Sequence, residues 1–143
     1  GCMGLGSCAD ACRYNAISVS KDRAVAKVDY GLCTSCGACV STCPKRIIGR
    51  IPVDAVVYVA CSNLCRGKEV IGACEKGCIG CGKCERNCPS GAIKLGNNLA
   101  VIDYDKCVKC GNCIEVCPRK CILPFPDERP LIPPYKPGEK SAE

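Results

Sequence analysis

The chain of 143 residues has no Trp, no His, one Met and one Phe. A core drawn from so few large apolar side chains buries little surface, and small domains in that position rely on metals or disulfides to fold. No apolar run reaches the roughly 18 residues a bilayer-spanning helix needs, and no signal-peptide pattern opens the sequence. A dinucleotide fingerprint, a substrate-pocket signature and a catalytic base are all missing, so the chain by itself does not read as an enzyme. Lys and Arg are not interleaved with aromatics, which argues against a nucleic-acid surface. The first residue is Gly rather than Met, and the chain is expected to be a piece of something longer.

What is abundant is cysteine, nineteen of them. Twelve of these fall into three copies of one pattern. They are Cys33–Pro44 (C-T-S-C-G-A-C-V-S-T-C-P), Cys78–Pro89 (C-I-G-C-G-K-C-E-R-N-C-P) and Cys107–Pro118 (C-V-K-C-G-N-C-I-E-V-C-P). Gaps of two, two and three residues with a closing proline are the ligand pattern of a bacterial [4Fe–4S] site. A cube offers four iron corners, each needing a soft anionic ligand, and thiolate is that ligand. Two-residue gaps let one tight loop reach three corners, while the fourth is filled from elsewhere. Gly37, Gly82 and Gly111 follow the second Cys of each motif, where the loop closes on inorganic sulfide and φ > 0 is needed. They are the expected cofactor-contacting glycines.

An internal repeat organises the rest. A shift of 74 residues lays Val28-Asp29-Tyr30 on Ile102-Asp103-Tyr104 and Cys33, Cys36, Cys39, Cys43 on Cys107, Cys110, Cys113, Cys117. A shift of 76 lays Cys8 and Cys12 on Cys84 and Cys88, and Ala16-Ile17 on Ala92-Ile93. The expected fold is α+β: two bicluster 2[4Fe–4S] ferredoxin-like units in series with a strand-containing connector. Unit 1 covers 1–48 with its front edge cut. The connector, 49–77, holds a strand in I-P-V-D-A-V-V-Y-V-A and a short helix in R-G-K-E-V-I-G-A. Unit 2 covers 78–122, with a hairpin around Gly-Asn-Asn. A strand is expected at 24–30, and a Pro-rich extended tail at 123–143.

In two-cluster ferredoxins the fourth Cys of each motif serves the other cluster. That crossing gives four ligand sets here. Cluster 1 has Cys2, Cys8 and Cys43, one thiolate short, and so is incomplete or [3Fe–4S]. Cluster 2 has Cys33, Cys36, Cys39 and Cys12, although Arg13 stands where proline is usual. Cluster 3 has Cys78, Cys81, Cys84 and Cys117, and cluster 4 has Cys107, Cys110, Cys113 and Cys88. About four [4Fe–4S] clusters with their thiolates turn the formal charge of +6 to about −2, since the metal centres' own charge counts.

Other metal and thiol chemistries fit less well. The odd cysteine count and nested C-x-x-C pairs disfavour disulfides. Structural zinc takes two knuckles well apart, and a thiol oxidoreductase needs only one C-x-x-C. Cys61, Cys65, Cys74 and Cys121 remain outside the four sets. They form either a fifth metal site, a stand-in for the missing ligand, or free thiols packed around the clusters. Tyr30 and Tyr104, ahead of equivalent loops, are expected to shield clusters from water. Lys83, Arg86, Lys109 and Arg119 near the motifs are either solvated surface or a guide for an acidic redox partner.

The opening G-C-M-G-L-G-S-C-x-x-x-C, the V-D-Y-x-x-C-x-x-C-G-x-C-V-x-x-C-P block, the Cys61–Cys78 stretch ending G-C-I-G-C and the N-N-L-A-V-I-D-Y block together resemble the B subunit of Rnf complexes. These are membrane-bound, ion-pumping ferredoxin:NAD+ oxidoreductases, and the resemblance runs to Cys121. It implies a Cys four residues ahead of Cys2, which would complete cluster 1, and an upstream membrane helix and further cluster domain. It also implies a cytoplasmic-face, non-catalytic electron-transfer module, with reduced ferredoxin as donor and other subunits of a membrane complex as partners. The alternatives are a soluble polyferredoxin or the electron-transfer subunit of a cytoplasmic oxidoreductase, and, further off, a redox or iron sensor.

Overall fold

A Gly-Asn-Asn turn and four cysteine loops leave room only for short elements. The computed structural model of the chain describes residues 2–22 and 24–125. In chain order these form α1 (Ser7–Asp10), β1 (Ile17–Val19), β2 (Ala26–Val28), α2 (Ala38–Thr42), β3 (Val57–Val59), α3 (Gly67–Ala73), α4 (Lys83–Arg86), β4 (Ile93–Gly96), β5 (Leu99–Ile102), α5 (Asn112–Val116) and β6 (Ile122–Pro124). Helices and strands are thus mixed, as an α+β fold requires.

Each repeat folds as helix, antiparallel hairpin, helix. In the first, β1 pairs β2 with Ile17 opposite Val28. In the second, β4 pairs β5 with Ile93 opposite Ile102. The second hairpin turns on Asn97 and Asn98, at φ +49° and +64°. Two consecutive left-handed residues match the twist of the flanking strands, and Asn tolerates them better than most side chains. Period-two alternation then sends Ile93, Ala100 and Ile102 inward, while Val101 faces water. The helices close the arrangement, α1 against α2 and α4 against α5, so the two cysteine loops of each repeat become neighbours.

The connector is shorter in strand than its apolar run suggests. Of residues 51–60 only Val57–Val59 are strand, because Pro52 removes a donor and only one partner strand is at hand. That partner is β6, with Val59 opposite Ile122. The expected tail, 123–143, therefore does not begin free: Leu123 and Pro124 continue the strand that starts at Ile122, and Phe125 is buried. The remainder of the expected tail, from 126 on, lies outside the described residues.

Helix α3 is anchored by buried Val70 and started by the Glu69 carboxylate, which accepts the Arg66 N–H at 3.2 Å. Gly67 lets this helix lie against Ile79, since a Cβ there would come within 2.7 Å of the Ile79 carbonyl. The main buried cluster joins Val57, Cys78, Cys84, Ile93, Ala100, Ile102, Cys113, Cys121 and Ile122. It belongs to the second repeat together with β3 and β6. Among its described residues the first repeat buries Cys8, Ala16 and Ile17.

Candidate metal centres

Every cysteine loop ends in the same device. Gly37, Gly82 and Gly111 adopt φ of +83°, +72° and +78° and head α2, α4 and α5. This left-handed turn carries the third Cys of the motif into the first helical turn, beside the two that precede it. Gly6, at φ +85°, heads α1 in the same way and delivers Cys8. Gly6 is not among the glycines expected from the full motifs, although the G-x-C signal it shares with Gly37, Gly82 and Gly111 marks it.

The loops open onto four cavities, each lined by thiols from two motifs. One is walled by Cys78, Cys81, Cys84 and Cys117, with Cys121 beside them. A second is walled by Cys107, Cys110, Cys113 and Cys88. The third, of about 240 Å3, holds Cys33, Cys36, Cys39 and Cys12. The fourth brings together Cys2, Cys8 and Cys43, and Leu5 in its wall occupies the place that Cys81 holds in the second repeat. Among the described residues no three His, Cys, Asp or Glu side chains converge tightly enough for a single ion. The thiols ring a space rather than a point, which suits four irons at four corners better than one tetrahedral zinc. No cysteine is in a disulfide.

Electrostatics divides the thiols by position. The fourth Cys of each full motif sits in a turn whose backbone N–H groups face its sulfur. The N–H of Ile47, followed by those of Lys45, Arg46 and Ile48, holds Cys43 below the ordinary thiol range against some desolvation. Burial pushes Cys88 up, but the Ser90 hydroxyl and the N–H groups of Ala92, Ser90 and Ile93 outweigh it, and the net shift is downward. For Cys117 burial is likewise overcome, by the N–H groups of Cys121, Arg119 and Ile122 and the Cys121 thiol. Cys2 is lowered by the N–H groups of Gly4 and Ala26, the former at 3.5 Å. These positions favour the anionic form that binds iron.

The third Cys behaves oppositely. Burial raises Cys39 and Cys84, and pushes Cys113 up to about 11. A coordinated iron would supply the positive charge that offsets this desolvation. One further feature fits an anionic, sulfide-bearing group. The buried Nε of Arg119, in the wall of the Cys78 cavity, has no hydrogen-bond partner among the described residues.

The leftover cysteines divide two and two. Cys121 is buried at 3% exposure, its Sγ 3.6 Å from that of Cys117. The Cys61 sulfur accepts the Cys78 N–H at 3.5 Å. Both therefore pack beside the Cys78 cavity, whereas Cys65 and Cys74 are exposed. The two tyrosines differ despite equivalent sequence positions. Tyr104 is half-buried and its hydroxyl donates to the Val57 carbonyl at 3.2 Å. Tyr30 stays exposed, edge-on to Phe125 at 6.0 Å. Three of the four singled-out cations are engaged within the chain. Arg86 donates to the Cys81 carbonyl at 3.3 Å, Lys109 pairs with Asp54 at 2.6 Å, and Arg119 donates to the Cys74 carbonyl. Arg50, not anticipated from sequence, donates to the Cys36 carbonyl at 3.1 Å.

Paired cysteine loops around a shared hairpin, twice over, define an iron–sulfur protein of the dicluster type. The profile of the 4Fe-4S dicluster domain family matches residues 1–47 and 77–121, and the chain belongs to that family, with two such domains implying about four [4Fe–4S] clusters. Its relatives are more particular. Over 122 residues, 85% of its length, it is 45% identical to the B subunit of the ion-translocating oxidoreductase complex of Methanosarcina acetivorans. Over the same share it is 44% identical to the B subunit of the Na(+)-translocating ferredoxin:NAD(+) oxidoreductase complex of Acetobacterium woodii. It is 42% identical over 107 residues to the proton-translocating counterpart of Clostridium ljungdahlii. The resemblance to the Rnf B subunit carried by the opening and middle segments is thereby borne out. The chain spans 46%, 36% and 37% of the length of these three relatives. Among the described residues no helix is long and apolar enough to cross a membrane.

Proposed function

We propose that the chain is the two-unit ferredoxin-like part of the B subunit of an ion-translocating ferredoxin:NAD+ oxidoreductase. It takes electrons from reduced ferredoxin at the cytoplasmic face of the membrane and hands them to other subunits. The residues that would hold the clusters are Cys78, Cys81, Cys84 and Cys117; Cys107, Cys110, Cys113 and Cys88; Cys33, Cys36, Cys39 and Cys12; and, one ligand short, Cys2, Cys8 and Cys43. Each [4Fe–4S] group, when bound, stores and releases one electron.

The observation that carries this reading is the make-up of the cavities: in three of them three thiols of one loop and the fourth of its neighbour, and in the fourth two thiols of one loop, Cys2 and Cys8, with Cys43. The chain's own residues then act as insulation and bias. Backbone N–H groups stabilise the ligand thiolates at Cys43, Cys88 and Cys117, and hydrogen bonds to cluster sulfurs set potentials. The hairpin residues Ile93, Ala100 and Ile102 keep water from the space between the two loops of the second repeat.

Anaerobic loading followed by iron and acid-labile sulfide counting tests the cluster content, with about sixteen irons expected for four cubes and about fifteen if cluster 1 is [3Fe–4S]. A count near eight would refute the two-unit reading. Stopped-flow reduction by reduced ferredoxin tests the donor: reduction by dithionite but not by ferredoxin would remove that assignment and favour a polyferredoxin serving another enzyme.

A further inference from the structure

The Cys78 cavity contains more than a cube can use. Five thiols line it, Cys78, Cys81, Cys84, Cys117 and Cys121, against four iron corners. The fifth is held in place firmly. Cys121 is 3% exposed, its carbonyl accepts the Ala60 N–H at 2.8 Å, and it leads directly into β6, which is paired with β3. Its Sγ lies 3.6 Å from that of the ligand Cys117. With all corners taken, the Cys121 thiol has no iron to bind. It lies within hydrogen-bonding reach of the Cys117 sulfur, which as an iron-bound thiolate can only be the acceptor of the pair.

The same wall holds Arg119, anchored through the Cys74 carbonyl and keeping a buried Nε–H without a partner among the described residues. Neither feature recurs at the other fourth cysteines. Four residues beyond Cys12, Cys43 and Cys88 stand Ala16, Ile47 and Ala92, and two residues beyond stand Tyr14, Lys45 and Ser90. Lys45 is exposed. Ser90 offers Cys88 a neutral hydroxyl at 3.6 Å, a weaker bias than a charged guanidinium.

We propose that Cys121 and Arg119 are tuning residues, not ligands, which hold the reduction potential of the cluster bound by Cys78, Cys81, Cys84 and Cys117 above that of its partner bound by Cys88. The reduced cluster carries one more negative charge than the oxidised one. A donor and a cation at its rim therefore stabilise the reduced form more, and the electron rests there first. The proposal rests on the ligand sets given above.

The experiment is an EPR-monitored redox titration of the cluster-loaded chain beside Cys121→Ala, Cys121→Ser and Arg119→Gln, with iron counted in each. Cys121→Ala is expected to keep its iron and to shift one signal negative, by about threefold to tenfold in the reduction equilibrium, tenfold being 59 mV for one electron. Cys121→Ser, whose hydroxyl still donates, restores most of the shift, and Arg119→Gln moves the same signal in the same direction. Loss of iron in either Cys121 variant makes it a ligand or a structural thiol and overturns the proposal. So do unchanged potentials, or shifts in different signals for Cys121 and Arg119. If the unsubstituted chain lacks its sixteen or so irons, the cluster reading itself fails; if it holds them and nothing moves, only the tuning role fails.

Discussion

Replacing Cys88 with Ala separates crossed from uncrossed ligation. Sequence order puts Cys88 in the same loop as Cys78, Cys81 and Cys84, but it lines the cavity of Cys107, Cys110 and Cys113 and is absent from the wall of the other. Removing its sulfur deletes one of four ligands there, so one to four of about sixteen irons should go, depending on whether a [3Fe–4S] remnant survives. The loss also strands the Ser90 hydroxyl and the N–H groups of Ala92, Ser90 and Ile93 that now stabilise the thiolate. Because Cys88 and Ser90 are only half-buried and water can replace the lost acceptor, the cost is at the low end of the roughly 1–3 kcal/mol for a stranded donor, and the second repeat should stay folded around its remaining cluster. The assay is iron and sulfide counting with EPR, run beside Cys84→Ala, which should remove the other signal. If Cys88→Ala and Cys84→Ala abolish the same signal, the two loops are self-contained and the crossing is wrong.

Leu5→Cys supplies a thiol at the position that Cys81 holds in the second repeat. It should raise iron by about one per chain and convert an oxidised [3Fe–4S] signal into a [4Fe–4S] one, and an unchanged count would mean that Leu5 is not at a ligand position. Ile122→Ala, at a residue 1% exposed in β6, should cost about 2–4 kcal/mol and speed the bleaching of cluster absorbance in guanidinium. Ile71→Ala, at 57% exposure, should stay within about 0.5 kcal/mol, and equal effects of the two would show that β6 is not part of the core.

Much of the site was written in local spacing. A C-x-x-C-x-x-C-x-x-x-C-P run dictates a loop by geometry alone, and Gly-Asn-Asn between two apolar quartets dictates a hairpin, so both could be read without knowing what lies elsewhere. What could not be read were pairings between distant segments. Leu123 and Pro124 open a Pro-rich, charged composition that suggests a tail, yet together with Ile122 they pair with β3 more than sixty residues earlier. Nothing local encodes that choice, because a strand's partner depends on which edge is left open. The same pairing explains why Tyr30 and Tyr104 diverge. Val57 meets the hydroxyl of one and Phe125 the ring of the other, although their sequence neighbourhoods are near copies.

That pairing also makes the two repeats physically unequal. The connector attaches to the second repeat at many points: Asn98 to the Leu64 carbonyl, Lys109 to Asp54, Tyr104 to Val57, Cys78 to Cys61. Toward the first repeat it is tied by Arg50, which donates to the Cys36 carbonyl. Of the cysteines proposed as ligands, Cys78, Cys84 and Cys113 are buried in the second repeat, against Cys8 alone in the first. Oxidative loss of a cluster needs oxidant and water at the iron–sulfur core, and access follows local opening, which is easiest where few apolar contacts resist it. Under limiting air, the signals removed by Cys39→Ala should therefore fade before those removed by Cys84→Ala or Cys113→Ala. The first repeat's iron should leave at the faster rate even when Leu5→Cys has completed its short site. Equal rates, or earlier loss from the second repeat, would mean that the connector does not shield the clusters it packs beside.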